Sequence, residues 1–598
     1  MHVVLTREPG GTVRVHDGAS RAVPDVDVPD VDLPDVDVPG ADLPALVAAR
    51  EPDQADGRVP RWTWDDTNRW YLGLLRAGVR VERSHDLRLV HRILRHSTAT
   101  GGSELAAAPA GAWDAMPPTP AGAAPAVGVR RAPQGEALFD LAATALPAPP
   151  VRGADADALD PVAELRRQED AVRGSTAPGR LRLLAAGESA GALVAAEMHH
   201  AGLPWRADVH DEILTEALGP RPPEGQRPER LEALAGRIRA ALDAPPSLNP
   251  DSHPDLLKAM QYAGVGARSL RKWELSTIDH PVVAPLLEYK NLYRLLTANG
   301  WHWLDEWVTD GRFRTEYVVG GVVTGRWSST GGGALQLPKA VRRAVVADPG
   351  WCLVVADVAQ LEPRVLAGMA GDEAMATAGR AGDLYAGIVA SGAVPTRELA
   401  KVGMLGAMYG GTTGASAQVL PRLGREYPRA IALVEEAART GERGGVVTTW
   451  LGRSSPAPGS AWDEAQAGAF ADDAGADAAA RARSATRSWG RFTRNFVVQG
   501  TAAEWALCWL ASIRRRLWAL GVADGVRPGL APAPFADRPH LAFFLHDEVV
   551  VHAPLELADV VAAEVRAAAE EAGRLLFGDF PVDFPLTVAA VDAYADAK

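Results

Sequence analysis

The sequence predicts an α+β fold with two or more domains, and three observations support this prediction. The chain has 598 residues, which is more than one hydrophobic core accommodates. Two stretches, 227–245 and 280–300, have the apolar spacing of amphipathic helices. Two others, GWCLVVAD at 350–357 and HLAFFLHDEVVVHAP at 540–554, are typical of buried strands.

Composition and charge exclude several classes of protein. Hydrophobic residues make up 47% and charged residues 23% of the chain, as in ordinary globular proteins. The absence of an uncharged apolar run of about eighteen residues, and of a secretory pattern in MHVVLTREPGGTVRVHD, predicts a cytoplasmic protein outside the membrane. The two cysteines, Cys352 and Cys508, are too few for a disulfide framework or a zinc cluster. The net charge of −13 argues against nonspecific coating of nucleic acid but allows a local basic groove.

The residue composition and the hydrophobic pattern change along the chain. A Pro-Asp repeat at 24–44 predicts an extended acidic loop, and residues 62–96 have the periodicity of folded helix. Residues 98–160 are rich in Ala, Pro and Gly, which predicts a linker or loose loops. A well-patterned region begins near 181 and reaches the C-terminus, and its Ala- and Asp-rich stretch 457–485 predicts a surface insertion.

Two of the predicted strands each present a carboxylate at one end. Asp357 ends the first run, and Asp547 lies at the tight turn of a predicted hairpin over 541–554. Each alone is compatible with an ordinary turn aspartate. Two aspartates that meet repel each other unless a cation lies between them. Two Mg²⁺ ions roughly 3.5–4 Å apart would stabilise the attacking and leaving oxygens of a phosphoryl transfer, provided that phosphate-binding groups lie nearby.

A candidate phosphate-binding face occurs in RELAKVGMLGAMYGG. Arg397, Lys401, Leu405 and Tyr409 are spaced four residues apart, so they share one face of a helix. Cations at one end and an aromatic ring at the other suit a triphosphate and a base. The alternative is a solvated charged pair followed by a core tyrosine.

A second helix face carries Arg491, Asn495 and Gln499 with the same spacing. Such side chains could line a groove and read hydrogen-bond acceptors in the minor groove of a duplex. The alternative is an ordinary polar helix face.

Together these segments resemble the polymerase domain of family A DNA polymerases, the bacterial DNA polymerase I group, over about residues 181–598. The matching segments are TGRWSS at 324–329, DVAQLEPR at 357–364 (motif A), the 397–410 spacing (motif B), RFTRNFVVQGTAAE at 491–504 and HDE at 546–548 (motif C). The resemblance implies a right-hand polymerase fold. Its parts would be a thumb at about 205–300, a palm at about 301–370 and 490–598, and fingers at about 371–489.

The resemblance also implies roles in catalysis. Asp357 and Asp547 would bind two Mg²⁺ ions with help from the Val358 carbonyl, Mn²⁺ is expected to substitute, and Glu548 of motif C would belong to the catalytic set. Arg397 and Lys401 would contact the incoming phosphates, and Lys401 would protonate or neutralise the leaving pyrophosphate.

Other positions would bind the nucleotide and the DNA. Glu362 would be the steric gate against a ribose 2′-OH, Gln360 would support the nucleotide site, and Tyr409 would close over the template base position. The residues expected to hold primer-template DNA are Arg326, Arg491, Asn495, Gln499 and His546, with Arg268, Arg271 and Lys272 of the thumb.

The chain departs from the family pattern at several of these positions. Val358 and Ala359 replace a Tyr-Ser pair, Leu405 replaces an aromatic residue near the nucleotide, and Tyr385 replaces a phosphate-contacting His. These changes predict intact metal chemistry in a slow or specialised enzyme. The resemblance itself implies a monomer in the bacterial cytoplasm, associated with the nucleoid.

In this family a 3′–5′ exonuclease often precedes the polymerase, and its chemistry begins with Asp-x-Glu on a strand. Residues 1–180 contain no Asp-x-Glu, although Asp65, Asp66 and Asp86 are present. The sequence therefore predicts a degenerate exonuclease-like scaffold in this region.

Three functions remain to be distinguished. The first is a template-directed DNA polymerase that uses dNTPs, without proofreading, in repair or gap filling. The second is a single-subunit RNA polymerase, against which Glu362 argues. The third is a non-catalytic DNA-binding relative of a polymerase, which the departures from the motifs favour.

Overall fold

The computed structural model describes residues 1–17, 35–51, 59–122, 159–411, 414–469, 475–522 and 527–597. Within these residues, helices combine with four separate sheets, as the predicted α+β class requires.

The N-terminal region is a five-stranded sheet flanked by helices. Its elements are β1 (His2–Arg7), β2 (Thr12–Asp17), β3 (Val36–Pro39), α1 (Leu43–Arg50), β4 (Arg61–Trp64), α2 (Thr67–Arg76), β5 (Arg83–Asp86), α3 (Leu87–His96), α4 (Glu104–Ala107), α5 (Ala112–Ala115), α6 (Pro161–Arg173) and α7 (Pro178–Ala201). The strand order is β3-β2-β1-β4-β5, and β1, β4 and β5 run parallel. Trp62 and Trp64 of β4 are fully buried and pack with Tyr71 of α2, so this sheet has its own core.

Two expectations for this region need correction. The predicted acidic loop 24–44 contains strand β3, because Val38 is buried and the strand pairs with β2; residues 24–34 lie outside the described residues. The predicted loose stretch 98–160 contains the short helices α4 and α5, anchored by buried Leu105 and Trp113. Residues 123–158 of that stretch also lie outside the described residues.

The next region is a helical unit followed by short strands. Its elements are β6 (Leu203–Pro204), α8 (Ala207–Leu218), α9 (Glu229–Ala241), α10 (His253–Tyr262), α11 (Lys272–Leu275), α12 (Val283–Asn299), α13 (Trp301–Trp307), β7 (Val308–Thr309), β8 (Arg312–Phe313), β9 (Glu316–Val318) and β10 (Ser328–Gly331). Helices α8–α12, the helical unit, share an apolar core that includes Leu231, Ile238 and Leu286. The helices predicted at 227–245 and 280–300 are α9 and α12.

A four-stranded antiparallel sheet and its helices form the rest of the chain. The elements are β11 (Trp351–Val358), α14 (Leu361–Ala370), α15 (Glu373–Gly379), α16 (Leu384–Ala390), α17 (Arg397–Tyr409), α18 (Gly414–Glu426), α19 (Pro428–Glu442), α20 (Ser460–Ala469), α21 (Ala476–Ala519), β12 (His540–Leu545), β13 (Glu548–Pro554), α22 (Ala558–Phe577) and β14 (Leu586–Val591). Strands β12-β13-β11-β14, in this order, form the C-terminal sheet. β12 and β13 are the predicted hairpin, and β11 is inserted between β13 and β14.

Helix α21 is the longest helix described in this part of the molecule. It has 44 residues, and it is long and apolar enough to span a membrane by length and composition. However, 89% of its most apolar 18-residue stretch is buried inside the protein. Trp505 and Trp509 lie in the same buried apolar cluster as strands β11, β12 and β13, as expected of a core helix. Helix α20, in the predicted insertion 457–485, has no buried residue.

Candidate active site

The C-terminal sheet brings Asp357 and Asp547 to neighbouring strand ends. Asp357 is the penultimate residue of β11, and Asp547 lies in the two-residue turn between β12 and β13. The Val358 amide donates a hydrogen bond to the Asp547 carbonyl at 3.0 Å, which ties the two ends together. His546 adopts a left-handed conformation with φ 58°, as tight two-residue hairpin turns require. The two aspartates, 190 residues apart in sequence, therefore lie at the same edge of the sheet.

The electrostatics of this edge favour a cation. Loss of hydration and the negative charges of Glu362 and Asp357 raise the pKa of Asp547 to about 6, although Arg326 opposes the shift. The negative charges of Glu362 and Asp357 thus act on Asp547, and the guanidinium of Arg326 offsets them in part. A bound divalent cation would relieve this repulsion.

Glu362 is held between two side chains from other elements. Its Oε1 accepts from Arg326 Nη2 at 2.5 Å, and its Oε2 accepts from the Tyr409 hydroxyl at 2.6 Å. Glu362 itself is buried at the first turn of α14. The network joins the TGR segment, motif A and motif B, which the sequence placed in one site without showing how they touch.

The turn that positions Arg326 depends on Gly325. This glycine has φ +88°, and a Cβ there would lie 2.6 Å from Nε of Arg453. A residue with a side chain would meet both backbone strain and a clash. The turn leaves Arg326 projecting towards Glu362.

Gln360 and Tyr385 connect motif A to helix α16. Gln360 has φ 48°, an uncommon conformation for a residue with a side chain, and its Oε1 accepts from the Leu384 amide at 3.2 Å. Tyr385 is buried, and burial together with Glu362 raises its pKa to about 12. Both predicted nucleotide-site residues therefore lie beside the Glu362 network.

Helix α17 carries the predicted phosphate-binding cations on its exposed face. Arg397 is exposed and pairs with Asp383, whose Oδ2 accepts from Arg397 Nε at 2.6 Å. Lys401 is exposed and makes no ion pair with any acid of the described residues. Leu405 is half-buried and packs against an apolar cluster that includes Met404 and Leu423. Asp383 is not among the residues predicted from the sequence. An Asp directly before LYAGIVA is nevertheless a typical N-cap signal, and Asp383 does cap helix α16.

Arg491, Asn495 and Gln499 follow one face of α21, as predicted. Arg491 packs over Gly410, where a Cβ would lie 2.6 Å from Arg491 Cγ. Asn495 is buried beside the Tyr409 hydroxyl. Gln499 is buried, and its Oε1 has no hydrogen-bond partner within the described residues. An unsatisfied amide at this position suits a ligand that supplies the missing hydrogen bond.

Glu548 lies directly opposite Asp357 in the strand register, but its carboxylate has protein partners. It accepts a hydrogen bond from the Tyr594 hydroxyl and lies 3.4 Å from Arg342 Nη1. Arg342 also stacks over the Tyr594 ring, with Cζ 4.4 Å from its centroid. No signal in the sequence pointed to Arg342 or Tyr594 as contacts of Glu548.

The remaining predicted basic residues lie elsewhere. Arg268 and Arg271 are exposed on the loop between α10 and α11, and Lys272 is exposed at the start of α11, in the helical unit with its separate core.

The N-terminal aspartates are engaged in internal hydrogen bonds. Asp66 accepts from Arg88 at 2.6 Å, and Asp86 accepts from the Thr67 hydroxyl at 2.8 Å and the Leu89 amide at 2.9 Å. Asp65 accepts from the Trp70 indole and pairs with Arg69. These acids satisfy helix ends and arginines, so they do not form a set open to a metal.

The residues at the C-terminal sheet fit divalent metal ions in part. No three His, Cys, Asp or Glu side chains of the described residues converge as a complete metal site. The aspartate pair and the nearby backbone carbonyls supply the oxygen ligands that Mg²⁺ prefers, and Mg²⁺ commonly completes its shell with water and substrate phosphates. An incomplete set of protein ligands is therefore what such a site requires.

Comparison with known proteins identifies relatives of the larger, C-terminal part. The sequence profile of DNA polymerase family A matches residues 257–593, more than half of the chain. The thermostable DNA polymerase I of Thermus filiformis is 28% identical over 356 residues, covering 54% of this chain and 37% of the relative. DNA polymerase I of Chloroflexus aurantiacus is 27% identical over 381 residues, covering 58% of this chain and 35% of the relative. The chain thus spans little more than a third of the length of these relatives.

A solved structure has the same fold. The POL domain of Pol1 from M. smegmatis, in complex with a DNA primer-template and dNTP, superposes with a TM-score of 0.61 at 16% identity. The superposition covers 100% of this chain and 95% of that chain. The likeness extends over the N-terminal region as well, and at this identity it bears on the fold alone.

Proposed function

The chain belongs to DNA polymerase family A, and on that premise we propose that it is a template-directed DNA polymerase, extending a primer 3′-OH with dNTPs. The observation that carries the proposal is the pairing of Asp357 and Asp547 at joined strand ends. The raised pKa of Asp547, about 6, supports it, because loss of hydration and the charges of Glu362 and Asp357 disfavour the ionised form, which a bound cation would favour.

We propose that Asp357 and Asp547, with the Val358 carbonyl, hold two Mg²⁺ ions, for which Mn²⁺ can substitute. Such a metal pair supplies charge stabilisation to the attacking and leaving oxygens of an in-line displacement. The protein contributes a fixed edge of sheet, because β11 and β13 are paired from Trp351 to Asp357. This rigidity holds the two carboxylates in position before substrate arrives.

Helix α17 would bind the triphosphate. Lys401 is exposed and makes no ion pair with an acid of the described residues, so its ammonium can neutralise or protonate a departing pyrophosphate. Arg397 would exchange Asp383 for a phosphate oxygen, since both partners of this pair are exposed and surface pairs are weak.

The Glu362 network would select the sugar. Arg326 and Tyr409 fix both oxygens of Glu362, so the carboxylate cannot turn aside to admit a 2′-OH. Gln360, Tyr385 and Leu405 would complete the nucleotide pocket around it. Replacing an aromatic residue by Leu405 removes a stacking surface, which predicts weaker nucleotide binding.

Primer-template DNA would lie along α21 and the hairpin turn. Asn495 and Gln499 present buried amides, and Arg326, His546 and Arg491 would supply further contacts to the DNA. Arg268, Arg271 and Lys272 would contact the duplex from the helical unit. We infer that the protein works as a monomer in repair or gap filling, where a slow enzyme suffices.

The N-terminal region would act as a scaffold without proofreading. Asp65, Asp66 and Asp86 are all bound by helix ends or arginines, which supports this inference. A primer with a mismatched 3′ end should therefore remain undegraded when the protein is incubated with Mg²⁺ and no dNTP.

A second candidate is a weakly active or non-catalytic DNA-binding relative. It is favoured by the ion pairs that already engage Arg397 with Asp383 and Arg326 with Glu362. DNA binding without any metal-dependent extension would support this candidate against the first.

The test is primer extension with Mg²⁺ and dNTPs. Asp357→Ala and Asp547→Ala should each abolish extension, whereas Asp559→Ala, an equal change at an exposed position on α22, should not. Unchanged extension by either active-site variant would refute the proposal. A parallel reaction with rNTPs separates DNA polymerase from single-subunit RNA polymerase, and Glu362 predicts that dNTPs are preferred.

A further inference from the structure

The N-terminal half of α21 is unusually basic for this chain. Residues 478–503 contain five arginines and no Asp or Glu, although the whole protein has a net charge of −13. The arginines are Arg481, Arg483, Arg487, Arg491 and Arg494. A solvated surface helix usually mixes both signs of charge, since like charges at neighbouring positions destabilise it. This segment therefore calls for an anionic partner.

Three of these arginines form a continuous row. Arg483, Arg487 and Arg491 are four residues apart and share a helix face, which continues into Asn495 and Gln499. The row extends the predicted DNA-binding face by eight residues, or about 12 Å of helix. The exposed residues beside the row are Ser484 and Ser488, which carry no charge.

Arg483 and Arg487 lack a protein partner among the residues that the structure describes. Arg483 and Arg487 are exposed and make neither an ion pair nor a side-chain hydrogen bond within the described part of the chain. Arg494 shows the contrast, because it is buried and donates to Glu435 and to the Ala407 carbonyl. Arg494 therefore holds α21 against α17 and α19, whereas Arg483 and Arg487 make no such contact with the described residues.

The position of the row relates it to the active site. Arg491 packs over Gly410, directly after Tyr409 at the end of α17. From Arg491 towards its N-terminus, the helix packs against α19 and α20. A strand that leaves the site near Tyr409 along this helix would meet Arg487 and then Arg483.

We propose that Arg483 and Arg487 bind the phosphates of the unpaired template strand ahead of the primer end. This inference rests on the proposed polymerase function. Guanidinium groups bind phosphate through paired, charge-assisted hydrogen bonds. The row carries no aromatic or amide side chain beyond Asn495, so the binding is independent of base sequence.

The experiment measures binding of fluorescent primer-templates by anisotropy, without dNTP or divalent metal. One substrate carries a long unpaired 5′ template tail, and the other has the same duplex with a single unpaired nucleotide. The variant Arg483→Gln/Arg487→Gln should bind the long-tailed substrate about five- to tenfold more weakly than the unmodified protein does. The two proteins should bind the short-tailed substrate equally well. For the long-tailed substrate, the slope of the logarithm of the binding constant against the logarithm of the salt concentration should be shallower by about 1.4 in the variant. This corresponds to about 0.7 for each lost phosphate contact.

Two controls test the assignment. Arg566→Gln/Arg574→Gln removes the same charge from exposed positions on α22 and should change neither affinity. Arg483→Lys/Arg487→Lys keeps the charge and should retain most of the tail-dependent affinity.

The outcomes separate this inference from the proposed function. Equal long-tail affinity of the glutamine variant and the unmodified protein would overturn the inference alone, as would an equal loss on both substrates. Failure of the unmodified protein to bind either substrate would overturn the proposed function as well.

Discussion

The N-terminal sheet and the C-terminal sheet both carry aspartates at strand ends, but their surroundings differ. Asp86 is the last residue of β5 and caps α3, and Asp547 follows β12 in a hairpin turn. Burial raises the pKa of Asp86 to about 6, and loss of hydration does the same for Asp547. A raised pKa therefore does not distinguish the two regions.

The difference lies in hydrogen-bond donors. Asp86 accepts from the Thr67 amide, the Thr67 hydroxyl and the Leu89 amide, so its lone pairs are used by the fold. Asp547 follows no helix end, and the charged groups that affect it are Arg326, Glu362 and Asp357. An acid surrounded by donors stabilises structure, whereas an acid facing other acids is suited to bind a cation.

The largest expected effect tests this distinction through activity. Asp547→Asn should lower the rate of primer extension by at least about a thousandfold, because several kcal/mol of metal-dependent charge stabilisation depend on the carboxylate. Asn keeps the size of the side chain, so folding should be unaffected. Steady-state extension of a labelled primer measures the rate, and a loss of less than about tenfold would contradict the assignment.

The matched change in the N-terminal sheet should act on stability instead. Asp86→Ala removes a helix cap and two bonds to Thr67, so the free energy of unfolding should fall by about 2 kcal/mol. Urea denaturation measures the loss. Extension by the folded variant at low temperature should equal that of the unmodified protein, and a lost activity would mean that this region takes part in the chemistry.

The affinity of the C-terminal site for Mg²⁺ should depend on pH. A cation binds ionised Asp547, whose pKa is about 6, so the Mg²⁺ concentration for half-maximal extension should rise about tenfold per pH unit below that value. Glu362→Gln removes a charge that raises this pKa, so the rise should begin at lower pH. The midpoint is read from Mg²⁺ titrations at several pH values. An unchanged midpoint in the variant would show that Glu362 does not act on Asp547.

The same pKa has the opposite consequence for folding without metal. The folded state holds a proton on Asp547 that the unfolded chain, with the ordinary value of 3.8, releases. Its contribution to the free energy of unfolding therefore decreases as pH rises from 3.8 to about 6. Bound metal should cancel this decrease.

The smallest effect is expected at Glu548, an acid of the C-terminal sheet that has donors as Asp86 does. Tyr594→Phe removes one of them and should cost about 1 kcal/mol of stability with only a few-fold change in extension rate. Tyr427→Phe, which breaks a hydroxyl contact with Ser391, should cost a similar amount of stability and leave the rate unchanged. If Tyr594→Phe proved as inactive as Asp547→Asn, Glu548 would belong with the metal-binding acids.

Much of the site was predictable because its segments are locally encoded. The row from Arg397 to Tyr409 follows from helical spacing, and the hairpin carrying Asp547 follows from two apolar runs separated by a short polar turn. The family resemblance then placed these segments in one site. By contrast, strand β3 was mistaken for a loop, because Pro-Asp repeats hide the alternation that buries Val38.

The contacts between segments were not predictable in the same way. Asp383 pairs with Arg397 from another helix, and Arg342 and Tyr594 reach Glu548 from opposite ends of the C-terminal part. Such partners are chosen by packing, which has no periodicity in the sequence.

Spacing within single segments was enough to name the candidate site residues: the two aspartates, the cations of α17 and the amides of α21. The folded structure was needed to show which acids accept internal hydrogen bonds, as Asp86 does, and which lie near other acids, as Asp547 does. The physical reason is that a carboxylate's role depends on donors and charges within a few ångströms, and those come from residues up to hundreds of positions away.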